Sequence, residues 1–268
     1  MTDELVRIDD VSKVHFQAGL FRRRTRSVVA VQNLSLSITA NTVLGLVGES
    51  GCGKSTLARA VAWLDPPTSG RVVVAGIDPA LGDRSRMALF RRTVQIVFQD
   101  PYSSLNPRCS IGESVAEGLR NQGVPPDRRR REVSRLLDMV GISSSRTSER
   151  PHRFSGGQRQ RIVIARALAV QPRFLILDEP VSSLDVSIQA QMVNLLLDLK
   201  RELSLTYLFI SHDLNLIAYL SDEIAVMRDG RIIEQAPAEQ LIAAPVHPYT
   251  RALFADAPVL PSPRSGSS

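Results

Sequence analysis

Apolar and polar residues alternate along "ELVRIDDVSKVHF" and "SVVAVQNLSLSI", the period of two that half-buried antiparallel strands require. An arginine-rich insert separates them. "TVLGLV" breaks the alternation: it is a continuous apolar run, as expected of a strand buried on both faces. It feeds straight into a glycine-rich loop and the helical pattern "KSTLARAVAWL", which the turn "DPPTSG" stops. "RVVVAG" and "VQIVFQ" read as further strands, with the amphipathic piece "RSRMALFRR" between them.

From Asp100 to about Pro151 the apolar strands vanish. "SIGESVAEGLRNQ" and "DRRRREVSRLLDMVGI" carry helical spacing, interrupted by "GVPP" and "GISSS", which predicts an inserted helical subdomain at about 100–165. Strand logic resumes with "RFLILDEP", followed by the helix "VSIQAQMVNLLLDLKREL", the strand "TYLFIS" and a helix from Asp213. A hairpin, "EIAVMRDGRIIEQ", closes around an Asp-Gly turn. Alternating buried strands and helices predict an α/β fold with a largely parallel sheet and helices on both faces. A single domain is expected over 1–257. One short helix and a disordered proline- and serine-rich tail, 258–268, end the chain.

With 268 residues, 43% of them apolar, the chain fills one such domain and would be cramped as two independent halves. The net charge of +6 comes from arginine runs, "FRRRTR" and "DRRRRE". These read first as solvated faces, with an anionic membrane surface or an acidic partner as the alternative. The two cysteines, Cys52 and Cys109, have no paired spacing, which argues against a disulfide scaffold, a zinc site or an iron–sulfur site. The start lacks a signal pattern and no run of eighteen apolar residues occurs. The expectation is a cytosolic protein that serves a membrane only through another subunit.

The glycine-rich loop "GESGCGKST", Gly48 to Thr56, fits G-x-x-x-x-G-K-[ST] in the strand–loop–helix setting this chemistry needs. Gly48, Gly51 and Gly53 let the backbone of Glu49, Ser50 and Cys52 wind tightly, turning its N–H groups and the helix N-terminus towards phosphates. Lys54 supplies positive charge, and Ser55 offers a hydroxyl to Mg²⁺. "RFLILDEP" places Asp178 and Glu179 at the carboxyl end of a buried strand, Asp178 for the magnesium shell and Glu179 to polarise the attacking water. A second glycine loop, "FSGGQRQR", opens another helix, although one phosphate loop is already present.

In one order stand the phosphate loop, Gln99 ending "VQIVFQ", "FSGGQRQR", the acidic strand, "SSLDV" and "ISHDL". The series resembles the nucleotide-binding subunit of ATP-binding cassette transporters over nearly the whole chain. The resemblance implies a phosphate-loop (RecA-like) core with an N-terminal antiparallel β subdomain and an inserted α-helical signature subdomain. It assigns Gln99 to magnesium and the attacking water, His212 to the γ-phosphate and Asp185 to a loop at a dimer interface. Phe16 is the candidate for stacking on adenine, with Phe21 as rival. Ser155, Gly156, Gly157 and Gln158 belong to a signature loop that acts on the ATP of a partner chain, so that two chains sandwich two nucleotides.

"VFQDPYSSLNPR" and "HPYTRALFADAP" resemble segments of the importers of oligopeptides, dipeptides and nickel, and "GLFRRRTR" with "DEPVSSLDVSIQAQ" resembles the second of their two ATPases. The resemblance implies ATP and Mg²⁺ and a second ABC ATPase subunit, in a heterodimer or alternatively a homodimer. It also implies two integral membrane permeases, an extracytoplasmic solute-binding protein and a peripheral position on the cytoplasmic face of the cell membrane. Peptides are the expected cargo, with nickel or a sugar as alternatives. Some of the group carry a cysteine cluster near the C-terminus; none follows Cys109 here, so no iron–sulfur cluster is expected. A soluble ATPase acting on nucleic acid is the competing class. It lacks support from interleaved aromatics or a long coiled coil, and no nucleic-acid partner is expected.

Overall fold

The structure is a computed structural model that describes residues 4–17 and 26–255. Phe21, the first arginine run and the tail at 258–268 lie outside the described residues, as does the side chain of Phe16. Arg91–Leu205 form one compact unit, and the described residues before and after them form the other.

In the first unit, β1 (Glu4–Gln17) lies between β2 (Arg26–Thr39) and β4 (Ser69–Val74), antiparallel to both. The alternation seen in the sequence becomes alternation of burial, with Leu34, Leu36 and Ile38 inward and Ser35 and Ser37 outward. β3 (Val43–Val47) is buried at all five positions and runs parallel to both β7 (Thr206–Ile210) and β8 (Glu223–Arg228). Buried side chains on both faces are what its unbroken apolar run requires. β9 (Arg231–Pro237) returns antiparallel to β8 through Asp229 and Gly230, whose φ values of 48° and 79° are those of the tight Asp-Gly turn. The helices here are α1 (Lys54–Val61), α8 (Leu214–Leu220), α9 (Ala238–Ala243) and α10 (Pro248–Ala255). α2 (Arg84–Thr93) runs across the boundary into the second unit.

The second unit pairs β5 (Val94–Val97) in parallel with β6 (Phe174–Asp178) and carries α3 (Pro101–Ser104), α4 (Ile111–Asn121), α5 (Pro126–Met139), α6 (Gly156–Leu168) and α7 (Val186–Leu203). Reciprocal Ser–x–x–acid and Ser–x–x–amide caps start α4 and α6: Ser110 with Glu113, and Ser155 with Gln158. α5 buries Val133, Leu136 and Leu137 and exposes Arg128, Arg130 and Arg131, so this arginine run is a solvated face. Three arginines of α6 anchor that helix to backbone carbonyls. Arg159 Nε donates to Pro151 O (2.8 Å), Arg161 Nη1 to Val140 O at the end of α5 (3.0 Å), and Arg166 Nη1 to Ser104 O at the end of α3 (2.6 Å). The last two satisfy carbonyls at helix C-termini, which lack intrahelical donors. Among the described residues, no helix is long and apolar enough to cross a membrane.

Candidate functional site

The phosphate-loop sequence lies between the end of β3 and the start of α1. Gly53, the residue before the helix, has φ 112°, and a Cβ there would lie 2.2 Å from Ala30 O. Gly48 has φ 151°, and a Cβ there would lie 2.1 Å from Met227 O. These two positions need glycine for both conformation and space. The loop is therefore folded tightly against β2 and β8 while Glu49, Ser50 and Gly51 remain exposed. Its other side is held by the hairpin turn, where the Gly230 N–H donates to Cys52 O at 2.9 Å.

Lys54 is only 6% exposed, and its ammonium donates to Gly48 O (2.7 Å) and Glu49 O (2.9 Å), with Cys52 Sγ at 3.7 Å. No carboxylate is paired with it among the described residues. A buried ammonium held by two carbonyls and a thiol, with no carboxylate beside it, suits an anion. α1 starts with neither a side-chain cap nor an acidic residue in its first turn, so its N-terminal N–H groups and dipole face the same way as that charge. Buried Lys54 and this uncapped helix end together fit the phosphates of a nucleotide.

His212 belongs to the same unit. It follows Ser211, whose N–H reaches Leu46 O on β3 at 3.5 Å, so the residues after β7 leave the sheet at the edge where the phosphate loop begins. The turn is locked, because Ser211 Oγ accepts the Asp213 N–H and Asp213 Oδ1 caps α8 through Asn215 N and Leu216 N. His212 is exposed between them.

In the second unit, the parallel register Val97↔Leu177 puts Asp178 at, and Gln99 and Glu179 just beyond, the same end of β5 and β6. Asp178 is 6% exposed. Glu179 has φ 49°, a left-handed backbone unusual for a residue with a Cβ, and its carbonyl accepts from Ser182 Oγ at 3.1 Å. That turn fixes the direction in which the Glu179 side chain leaves the strand. A cavity of about 600 Å³ in this unit gathers Gln99, Tyr102, Ser155, Gly157 and Asp185. A Cβ on Gly157 would lie 2.7 Å from Ile188 Cγ2, so the start of α6 meets the start of α7 too closely for any side chain there.

Ser55 in the first unit carries a hydroxyl oxygen, and Gln99 and Asp178 in the second carry amide and carboxylate oxygens, each a hard donor of the kind that suits Mg²⁺. Sequence reasoning missed Tyr249, whose hydroxyl accepts the Glu49 N–H at 3.2 Å, and Gly230 beneath Cys52. The Asp-Gly turn was visible, but its contact with Cys52 and that of Tyr249 with Glu49 carry no local signal, since each joins partners far apart in the chain.

A strand-to-helix phosphate loop, an acidic strand end and a second glycine loop capping another helix define an ATP-binding cassette. The chain belongs to the ABC transporter family, matching it over residues 31–182. It is 49% identical to the oligopeptide transport ATP-binding protein OppF of Bacillus subtilis over 98% of this chain and 85% of that one. It is also 45% identical to the di/tripeptide transport ATP-binding protein DppF of Pseudomonas aeruginosa, over 90% and 75%. Among solved structures it resembles the dimeric, post-hydrolysis ATP-binding cassette MJ0796 bound to ADP and Pi, with TM-score 0.75 and 28% identity over 87% of this chain and 99% of that one. A second is cbiO1 of Clostridium perfringens, with TM-score 0.77 and 28% identity over 90% and 92%.

Proposed function

We propose that the chain is the ATP-hydrolysing subunit of a peptide importer, joined at the cytoplasmic face of the membrane to a second ATPase and two permeases and fed by an extracytoplasmic binding protein. The observation that carries the ATP reading is the buried Lys54, held by loop carbonyls and the Cys52 sulfur at the uncapped start of α1. The near-full-length identity to OppF and DppF supports peptides as cargo.

Lys54 and the loop N–H groups bind the β- and γ-phosphates, and exposed His212 hydrogen-bonds the γ-phosphate. Ser55, Gln99 and Asp178 would hold Mg²⁺, which would supply neutralisation of charge on the phosphate oxygens. Glu179, aimed by its left-handed turn, orients the attacking water and accepts its proton, with Gln99 assisting. Phe16 is assigned to the adenine. Ser155, Gly156, Gly157 and Gln158 act on the partner's nucleotide, with Asp185 at the interface. Ser155 supports this role because, among the described residues, its Oγ serves as an acceptor, from the Gln158 N–H, which leaves its hydrogen to donate outward.

If each ATP favours the closed pair about 100-fold, roughly 2.7 kcal/mol, two together supply close to the roughly 5.5 kcal/mol that moves an equilibrium from 1:99 to 99:1. Hydrolysis removes the bridging γ-phosphate and lets the pair reopen, a cycle able to drive a membrane partner.

Reconstituting the chain with its second ATPase, permeases and binding protein tests this reading. ATPase activity rising with peptide-loaded binding protein is the expected result. Stimulation by nickel-loaded or sugar-loaded protein would move the cargo, and stimulation by DNA in low salt would overturn the importer role.

A further inference from the structure

The phosphate loop has an outer shoulder, Glu49–Ser50–Gly51, that is exposed, and a Cβ built on Gly51 meets nothing within 4 Å. Such a segment gains little order from packing, and any freedom it keeps must be lost when its N–H groups converge on a ligand. One side chain from the far end of the chain reaches it: Tyr249, on α10, accepts the Glu49 N–H at 3.2 Å.

The segment carrying Tyr249 is itself fastened. The Glu234 carboxylate on β9 accepts the Val246 N–H (2.8 Å) and the His247 N–H (3.0 Å). His247 Nδ1 accepts the Tyr249 N–H at 3.1 Å, and the Arg228 guanidinium lies 4.8 Å from the centre of the Tyr249 ring. Arg228 ends β8, and two residues later Gly230 donates to Cys52 O on the other side of the loop. One hairpin therefore grips the loop twice, at Cys52 by its turn and at Glu49 through the C-terminal segment it holds. Partial burial pushes the Tyr249 phenol up, against the opposing pull of the hydrogen bond it accepts from the Glu49 N–H, so the hydroxyl stays neutral at physiological pH.

We propose that Tyr249 is a positioning residue for the phosphate loop, through which the C-terminal segment sets the loop's affinity for the phosphates of a nucleotide. The proposal rests on the ATP reading above. The Glu49 N–H is committed to Tyr249, so the shoulder is already ordered before a ligand arrives. The gain applies equally to ATP and ADP, because the loop serves both.

The test is the affinity of full-length protein for two fluorescent probes, mant-ATP and mant-ADP, together with the melting temperature without nucleotide. Tyr249→Phe keeps the ring over Arg228 and removes the hydroxyl, with the bond it accepts from the Glu49 N–H and its contact with the Glu49 side chain. Both dissociation constants should rise together by about 3–10-fold, the loss expected for one hydrogen bond, with the melting temperature nearly unchanged. Glu234→Ala, which releases the segment from β9, should weaken both probes in the same ratio. Unchanged affinities in both variants overturn the proposal, as does a loss confined to mant-ATP, which would mark a γ-phosphate contact in place of loop positioning. Wild-type protein that binds neither probe would overturn the ATP reading itself, and the proposal with it.

Discussion

Ser155 and Gln158 cap each other across the first turn of α6: the Gln158 N–H donates to Ser155 Oγ at 3.3 Å, and the Ser155 N–H to Gln158 Oε1 at 3.1 Å. A glycine loop that resembles a phosphate cradle is thus also the start of a well-formed helix. The serine has two duties, one within this chain and one proposed towards the partner's nucleotide.

Ser155→Arg separates those duties. Losing the cap costs about 1 kcal/mol, or about 2–4 °C in melting temperature. The larger effect expected is steric and electrostatic, since a long cation enters the cavity shared with Gln99 and Asp185. Nucleotide binding at the Lys54 loop should persist while ATP-dependent association disappears. Equilibrium binding and light scattering on the same sample read the two outcomes.

Gly53→Ala places a methyl group 2.2 Å from Ala30 O at a φ of 112°. The backbone carbonyl cannot yield cheaply, so the loop must shift and nucleotide affinity should collapse. Lys54→Ala should cost roughly 10–150-fold in affinity, the worth of a charge-assisted hydrogen bond, with the fold retained. Isothermal titration with ATP and a thermal melt distinguish the two cases.

Cys52 is half-buried with its sulfur 3.7 Å from Lys54 Nζ. Alkylation of this thiol should slow when MgATP fills the loop, while Cys109 serves as the internal reference. Peptide mass spectrometry after timed labelling gives both rates, and equal Cys52 rates with and without nucleotide would contradict the loop's placement at the phosphates.

Arg166 donates to Ser104 O at 2.6 Å, and burial pulls its guanidinium below the usual arginine range. Arg166→Ala leaves that carbonyl without its donor. The expected cost is roughly 1.5–3 kcal/mol, seen as a lowered urea midpoint.

What the sequence could disclose was set by how local each feature is. α7 was legible because an apolar stripe of eighteen residues is bounded by Asp185 and by Ser204 in a left-handed cap. The hairpin turn was legible because Asp-Gly encodes positive φ directly. The phosphate loop was legible because its donors are contiguous in the chain. α9, with six residues, is too short to show a period. The grip of Tyr249 on Glu49 joins residues 200 positions apart, and no pattern in either neighbourhood announces it. The arginines of α6 were visible as charge, but their carbonyl partners on α3, on α5 and at Pro151 exist only after folding.

ATP is expected to close two cassettes on each other, with Ser155 of one chain completing the site of the next. The most direct test is the mass of the Glu179→Gln protein, purified separately and mixed with its partner ATPase, with and without MgATP. Hydrolysis should fall by about 10²–10⁴-fold, the usual worth of a general base. The mass should double on adding MgATP, and Ser155→Arg in the same background should abolish the doubling. A mass that stays monomeric in saturating MgATP would contradict the account.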